Sequence, residues 1–171
     1  MPVDCIQLRI STPTEPPVPG RGFYQLEEDA LYVPVGPFGV DRHFFSYLES
    51  PTTRLEFDRS GRLIFIEIRT PRRQWPTEPA FDAPERVETA DVRWLEFRDE
   101  MAPPALTADD ARQRLVLRFG DRIVDRCYYI ASGVVAGIDS TNCLAAVWIS
   151  GITDDLAGRE IAAFRTQMRA D

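Results

Sequence analysis

Apolar and polar positions alternate with a period of two over most of the chain, the signature of half-buried strands. In Cys5 to Ile10, Ile6, Leu8 and Ile10 share one face while Gln7 and Arg9 share the other. Phe23 to Leu26 and Leu31 to Val35 flank Glu27-Glu28-Asp29-Ala30 and read as a hairpin. Val40 to Glu49 is aromatic and strand-prone, with Phe44, Phe45 and Tyr47. The clearest pattern runs from Arg54 to Arg69. Leu55 and Phe57 alternate with Arg54, Glu56 and Asp58, and Asp58-Arg59-Ser60-Gly61 supplies the turn, since Gly tolerates positive φ and Asp closes an Asx turn. Leu63 to Ile68 then carries Ile64, Ile66 and Ile68 on one face and Leu63 and Phe65 on the other, which predicts a central strand covered on both sides. Glu67 interrupts that apolar run. It faces outward on a half-exposed sheet or, if buried, requires an arginine partner.

From Thr70 to Ala90 the alternation stops. Pro71, Pro76, Pro79 and Pro84 space out a segment too long for a plain connection, and such loops are functional or disordered. Val92 to Arg98, with Trp94, Leu95 and Phe97, resumes as a strand. Thr107-x-x-Asp110 resembles a capping box and predicts one helical turn. Leu115 to Phe119, Ile123 to Ile130, Gly133 to Ile138 and Cys143 to Ile149 form a second β-rich half, with turn chemistry at Asp139-Ser140-Thr141-Asn142. Ile161, Phe164 and Met168 then recur at helical spacing, with acids early and Arg165 and Arg169 late, predicting a C-terminal amphipathic helix. The pairs Asp109-Asp110 and Asp154-Asp155 stand at the expected helix starts and read as N-caps. Together these elements predict a mostly β fold: nine or ten antiparallel strands in a sandwich or half-open barrel, with one C-terminal α-helix, as a single domain over residues 1–171.

At an offset of 97 residues, Tyr32, Gly36, Asp58, Gly61, Arg62 and Ile64 meet Tyr129, Gly133, Asp155, Gly158, Arg159 and Ile161. The match raises the hypothesis of an internal duplication of 23–68 in 120–165. Tyr24 to Val33, as Y-x-x-x-x-D-A-L-Y-V, and Asp58 to Ile68, as D-x-x-G-x-L-x-x-I-E-I, resemble a small bacterial family of β proteins. The resemblance covers 24–68, breaks across the insert from Gly36 to Thr53, and implies a hairpin topology without an activity.

Charge and rare residues narrow the chemistry. The formal charge is -7, and all 20 basic residues are arginine. Without lysine there is no lysine Schiff base, PLP anchor or P-loop lysine. The acidic balance, with no basic stripe, argues against nucleic acid and anionic membranes as partners. No apolar stretch reaches the roughly 20 residues that a bilayer span needs. Met1 to Ile10 lacks the pattern of a secretory signal, so a cytoplasmic location is expected. Cys5, Cys127 and Cys143 are then expected as buried free thiols; a Cys127–Cys143 bridge between neighbouring strands is the alternative. Their spacing offers no metal or dithiol motif, and no cofactor or metal is expected.

His43 is the single histidine. Asp41, His43 and Ser46 lie too close in sequence for the usual triad geometry, and no G-x-S-x-G elbow is present. An aromatic-cluster histidine beside Phe45 and Tyr47 is the plainer reading. Pro71-Arg72-Arg73-Gln74-Trp75-Pro76 is the leading binding-surface candidate, because Arg and Trp on a stiffened loop are interface residue types. The alternative is that Trp75 folds back over the sheet while Arg72 and Arg73 pair with local acids. The expected function is therefore a non-catalytic binding or interaction protein, adaptor- or immunity-like, with a protein partner. A small-molecule β-barrel or hydrolase-like enzyme with an aromatic pocket at His43, Phe45 and Tyr47 is the second reading. Edge-strand homodimerisation stays open.

Overall fold

The strand that the sequence marks as central occupies the middle of a seven-stranded sheet. The structure is a computed structural model and describes residues 4–36, 43–96 and 98–168. Val40, Asp41, Phe97 and Arg169 lie outside the described residues, and Met168 is described by its backbone alone. The strands are β1 (Leu8–Ser11), β2 (Phe23–Gln25), β3 (Ala30–Pro34), β4 (Ser46–Glu49), β5 (Thr53–Phe57), β6 (Leu63–Ile68), β7 (Val87–Thr89) and β8 (Asp91–Trp94). They continue as β9 (Asp99–Glu100), β10 (Ala105–Ala108), β11 (Leu115–Arg118), β12 (Arg126–Ala131), β13 (Val134–Ile138), β14 (Leu144–Ile149) and β15 (Thr153–Asp154). Helix α1 (Arg159–Met168) follows.

One sheet has the order β15-β2-β3-β6-β5-β4-β9, a second β10-β11-β14-β13-β12-β7, and β1 and β8 form a two-stranded ribbon. The two large sheets share one core, to which Leu31, Leu55 and Ile66 come from the first and Leu117, Ala136 and Val147 from the second. Among the described residues the fold is thus mostly β with one C-terminal helix, as expected, but with 15 strands rather than nine or ten. Nor is it purely antiparallel: β7 on β12, β15 on β2 and β9 on β4 pair in parallel. These short strands, with β10, lie at sheet margins. Segments of two to four residues are too brief to show a period, and short edges also limit stray pairing.

The β5–β6 hairpin forms as its residues dictate. Asp58 is buried, its Oδ1 accepts the backbone N–H of Ser60 and Arg62 at 2.9 Å each, and Gly61 takes φ 85°. An irregularity at Ile64 changes the faces expected from alternation: Leu63 joins Ile66 and Ile68 in the shared core, while Ile64 and Phe65 meet Ile161 and Phe164 of α1 on the outer face. Phe65 stacks on Phe164 with centroids 4.8 Å apart. Asp155, ahead of the 3-10 turn Leu156–Gly158, fixes the start of that helix by accepting the N–H of Glu160 (3.0 Å) and Ile161 (3.2 Å), whereas Asp154, expected beside it as a cap, lies in β15. In the D-x-x-G-R-x-I pattern, Asp58 therefore closes a hairpin and Ile64 lies in a strand, whereas Asp155 opens a helix that holds Ile161.

Other expectations change. Thr107 to Asp110 makes no helical turn: Ala105–Ala108 is β10, and Asp109 instead closes the turn into β11, accepting the N–H of Gln113 at 2.9 Å and of Arg114 at 3.1 Å. The strand expected from Ile123 starts only at Arg126. The segment from Thr70 to Ala90 is ordered by the second sheet. Phe81 and Val87 pack on Val116, Val135 and Trp148, and the Trp148 indole N–H donates to the Asp82 carbonyl at 2.7 Å. The expectation of buried free thiols holds for Cys127 alone, and the alternative Cys127–Cys143 bridge does not form. Cys5 and Cys143 form a disulfide with Cα atoms 5.4 Å apart, and Cys127 is the buried free thiol. Burial raises the pKa of the Cys127 thiol, with the charge of Asp82 adding to the shift.

Candidate functional site

Helix α1 covers the outer face of the seven-stranded sheet at Ala30, Tyr32, Ile64 and Phe65. Over β4 that face stays open, while Glu56 of β5 on the same face is buried, and period-two alternation decides what it shows. Ser46 and Leu48 of β4 and Thr53, Leu55 and Phe57 of β5 are buried, which turns Tyr47, Glu49, Arg54 and Glu56 the other way. The register sets Tyr47 against Glu56 and Glu49 against Arg54. The Arg54 guanidinium consequently lies 4.1 Å from the Tyr47 ring centroid and 5.8 Å from that of Phe44. It also pairs with Glu56 at 3.0 Å and Glu49 at 3.4 Å. Arg59, one turn residue beyond Asp58, sits 5.0 Å from the Phe45 centroid.

Arg69 extends the network by bonding Glu49 at 2.9 Å and Glu67 at 3.2 Å. Its bond to Glu49 holds that carboxyl below the ordinary range against the opposing effect of partial burial, with Arg54 assisting. Glu67 is half-buried on the outer face with this arginine partner.

Phe44, Phe45, Tyr47 and Leu95 keep 41%, 38%, 37% and 49% of their surfaces exposed. Two open grooves flank them. One of about 510 Å³ runs past Phe45, Leu95 and Arg98, and one of about 680 Å³ past Tyr47, Arg69 and Met101. Arg98 lines both. Rings with guanidinium groups on their faces are suited to binding: the rings supply apolar area, and cation–π contact leaves in-plane N–H groups available to acceptors. His43 is half-buried at the start of this run and lines neither groove.

The second candidate segment lies elsewhere. Arg72–Gln74 forms a 3-10 turn after β6, and Trp75 is only 1% exposed. Its indole N–H donates to the Thr70 carbonyl at 2.9 Å, and its ring meets Tyr24 edge-on at 5.9 Å. Arg72 lies 4.4 Å from the Tyr24 centroid and pairs with Asp154 at 2.8 Å, while Arg73 pairs with Asp29. The tryptophan therefore anchors the loop, and both arginines have local acidic partners. Sequence reasoning singled out Phe45 and Tyr47 but missed Arg54, Arg59 and Arg98. Charge alternation in the hairpin was the signal available for Arg54; Arg98 reaches the site through tertiary folding alone.

Among the described residues no group of three His, Cys, Asp or Glu side chains is arranged to hold a metal ion, and no helix is long and apolar enough to cross a membrane. Comparison of the chain with protein-family models and with curated proteins finds no match.

Proposed function

We propose that the chain is a non-catalytic binding protein that engages a protein partner through the open part of the seven-stranded sheet. The observation that carries this reading is the exposed cluster of Phe44, Phe45, Tyr47 and Leu95 with Arg54 and Arg59 against its rings. Interface cores are enriched in aromatic residues and arginine, and rings already held by guanidinium contacts lose little freedom on binding. The buried Trp75 moves the contact surface away from the Arg72–Trp75 turn.

The partner-capture test uses the double variant Phe45→Ala/Tyr47→Ala beside Arg72→Ala/Arg73→Ala, with crosslinking in the native host. The reading requires capture to fail in the first pair and persist in the second, both variants keeping the wild-type circular dichroism spectrum. A second reading has its own support in the groove of about 680 Å³ beside Tyr47, whose volume suits a small molecule. Retention of a compound of a few hundred daltons, lost in Tyr47→Ala, is the outcome that favours it.

The Cys5–Cys143 bond supports an oxidising location over the cytoplasm, where thiols stay reduced. Counting free thiols in protein taken directly from its host into denaturant and alkylating agent tests that placement. One labelled cysteine favours it; three favour the cytoplasm.

A further inference from the structure

The N-terminal strand closes a seam between the two large sheets. Strand β11 accompanies β14 as far as the Arg118–Ala146 pair, and after the bond from Phe119 N–H to the Ala145 carbonyl it turns away. Ile6 to Leu8 take its place. Leu144 N–H donates to the Ile6 carbonyl at 2.7 Å, Leu8 N–H donates to the Asn142 carbonyl at 3.0 Å, and Gln7 bridges Cys143. On its other side the same segment accepts Leu95 N–H at the Gln7 carbonyl (3.0 Å) and runs into the β1–β8 ribbon, with Leu8 opposite Trp94. Trp94 N–H in turn donates to Gly61 of the β5–β6 turn at 2.7 Å. Hydrogen bonds thus pass from the six-stranded sheet through the N-terminal strand and β8 to the other sheet. Ile6 and Leu8 place their side chains in the shared core.

The disulfide sits at the free end of this seam, and its two halves are held very differently. Cys143 is buried, and its N–H donates to Asp139 Oδ1 at 3.0 Å. Asp139 also binds Thr141 and pairs with Arg122 at 2.8 Å, so the turn keeps its shape without the bond. Cys5 is partly exposed and follows a fully exposed Asp4. Apart from the sulfur, the Asp4 end is held by Arg122, which reaches the Asp4 carbonyl at 3.2 Å.

We propose that the Cys5–Cys143 bond is a redox latch on the N-terminal strand: oxidised, it locks the seam, and reduction by a dithiol releases the strand while the two sheets stay folded. A reductant thiolate attacks the sulfur of Cys5, the partly exposed residue of the pair, and the S–S bond breaks. Cys143 leaves as a thiolate, with Thr141 Oγ1 3.4 Å from its sulfur, and then takes a proton. The second thiolate of the reductant resolves the mixed disulfide, freeing Cys5 and leaving the reductant oxidised. Two electrons and two protons pass to the protein. The inference is independent of the binding surface on β4 and β5.

Hydrogen exchange followed by mass spectrometry tests it on Cys127→Ser protein, with and without tris(carboxyethyl)phosphine. Reduction is expected to speed exchange of the Leu8, Leu95 and Leu144 amides by on the order of 100-fold, while Ile66 and Val147 amides hold their protection. Unchanged exchange at the first three sites overturns the latch. Loss of protection at all five also overturns it, since the bond is then a staple of the whole fold. Reduction of the wild-type chain serves as the second sample if the serine variant does not fold.

Discussion

Replacing Trp75 with alanine separates a tryptophan that anchors a loop from one that meets a partner. The side chain is 1% exposed, belongs to the core shared by the sheets, donates to Thr70 and packs edge-on against Tyr24. Truncating a buried tryptophan to alanine costs about 3–5 kcal/mol, through lost transfer free energy and the cavity left behind. The lost hydrogen bond adds only about 1 kcal/mol, because the half-buried Thr70 carbonyl can turn to water. A central figure of about 4 kcal/mol is a large part of the roughly 5–15 kcal/mol by which domains are stable. At roughly 2–4 °C per kcal/mol for a chain of this size, Tm is expected to fall by about 8–16 °C. Thermal unfolding followed by circular dichroism, with urea titration to confirm an unchanged slope, reads this directly. Arg73→Ala is the internal control: its side chain is 69% exposed, its pairing with Asp29 is a surface one, and Tm is expected to stay put. A Trp75→Ala protein melting within about 2 °C of wild type would falsify the anchoring role, since no buried tryptophan is removed so cheaply.

Two further outcomes follow from local geometry. The Tyr32 phenol is pushed up to about 12 by burial, then by its hydrogen bond to Glu28 and that group's negative charge. A tyrosine in the unfolded chain titrates near 10. The stabilisation is therefore complete below pH 10 and is lost as pH rises from there through about 12; urea midpoints should fall across that window, and fall less in Tyr32→Phe. At Gly61, φ is +85° and an added Cβ would stand 2.4 Å from the Trp94 carbonyl oxygen, so Gly61→Ala is expected to cost about 2–4 kcal/mol. A urea midpoint equal to wild type in that variant contradicts the close approach of the β5–β6 turn to β8.

Local rules carried the reading of the chain wherever neighbours in sequence are also neighbours in space. Asp58 and Gly61 announce their turn, alternation exposes β5 and β6, and Ile161 and Phe164 mark the buried face of α1, because each signal lies within about a dozen residues of its effect. The disulfide joins cysteines 138 positions apart, and no local period states which distant strands meet. Trp75 shows the same limit: its loop is irregular in sequence, yet its ring is committed to Tyr24, which lies on β2. For the candidate binding face, aromatic content pointed to Phe45 and Tyr47. Charge alternation pointed at Arg54, but its place against Tyr47 came only with the β4–β5 register, and Arg98 came with the path of the chain after β8.

Native mass spectrometry of the protein purified at low salt from its own host, run in parallel on Phe45→Ala/Tyr47→Ala, tests the binding reading most directly. The wild-type chain is expected to carry a second polypeptide in fixed stoichiometry, and the variant to fly alone with an unchanged charge-state envelope. A wild-type chain that is bare, that holds only a small compound, or that keeps its partner in the variant contradicts that reading.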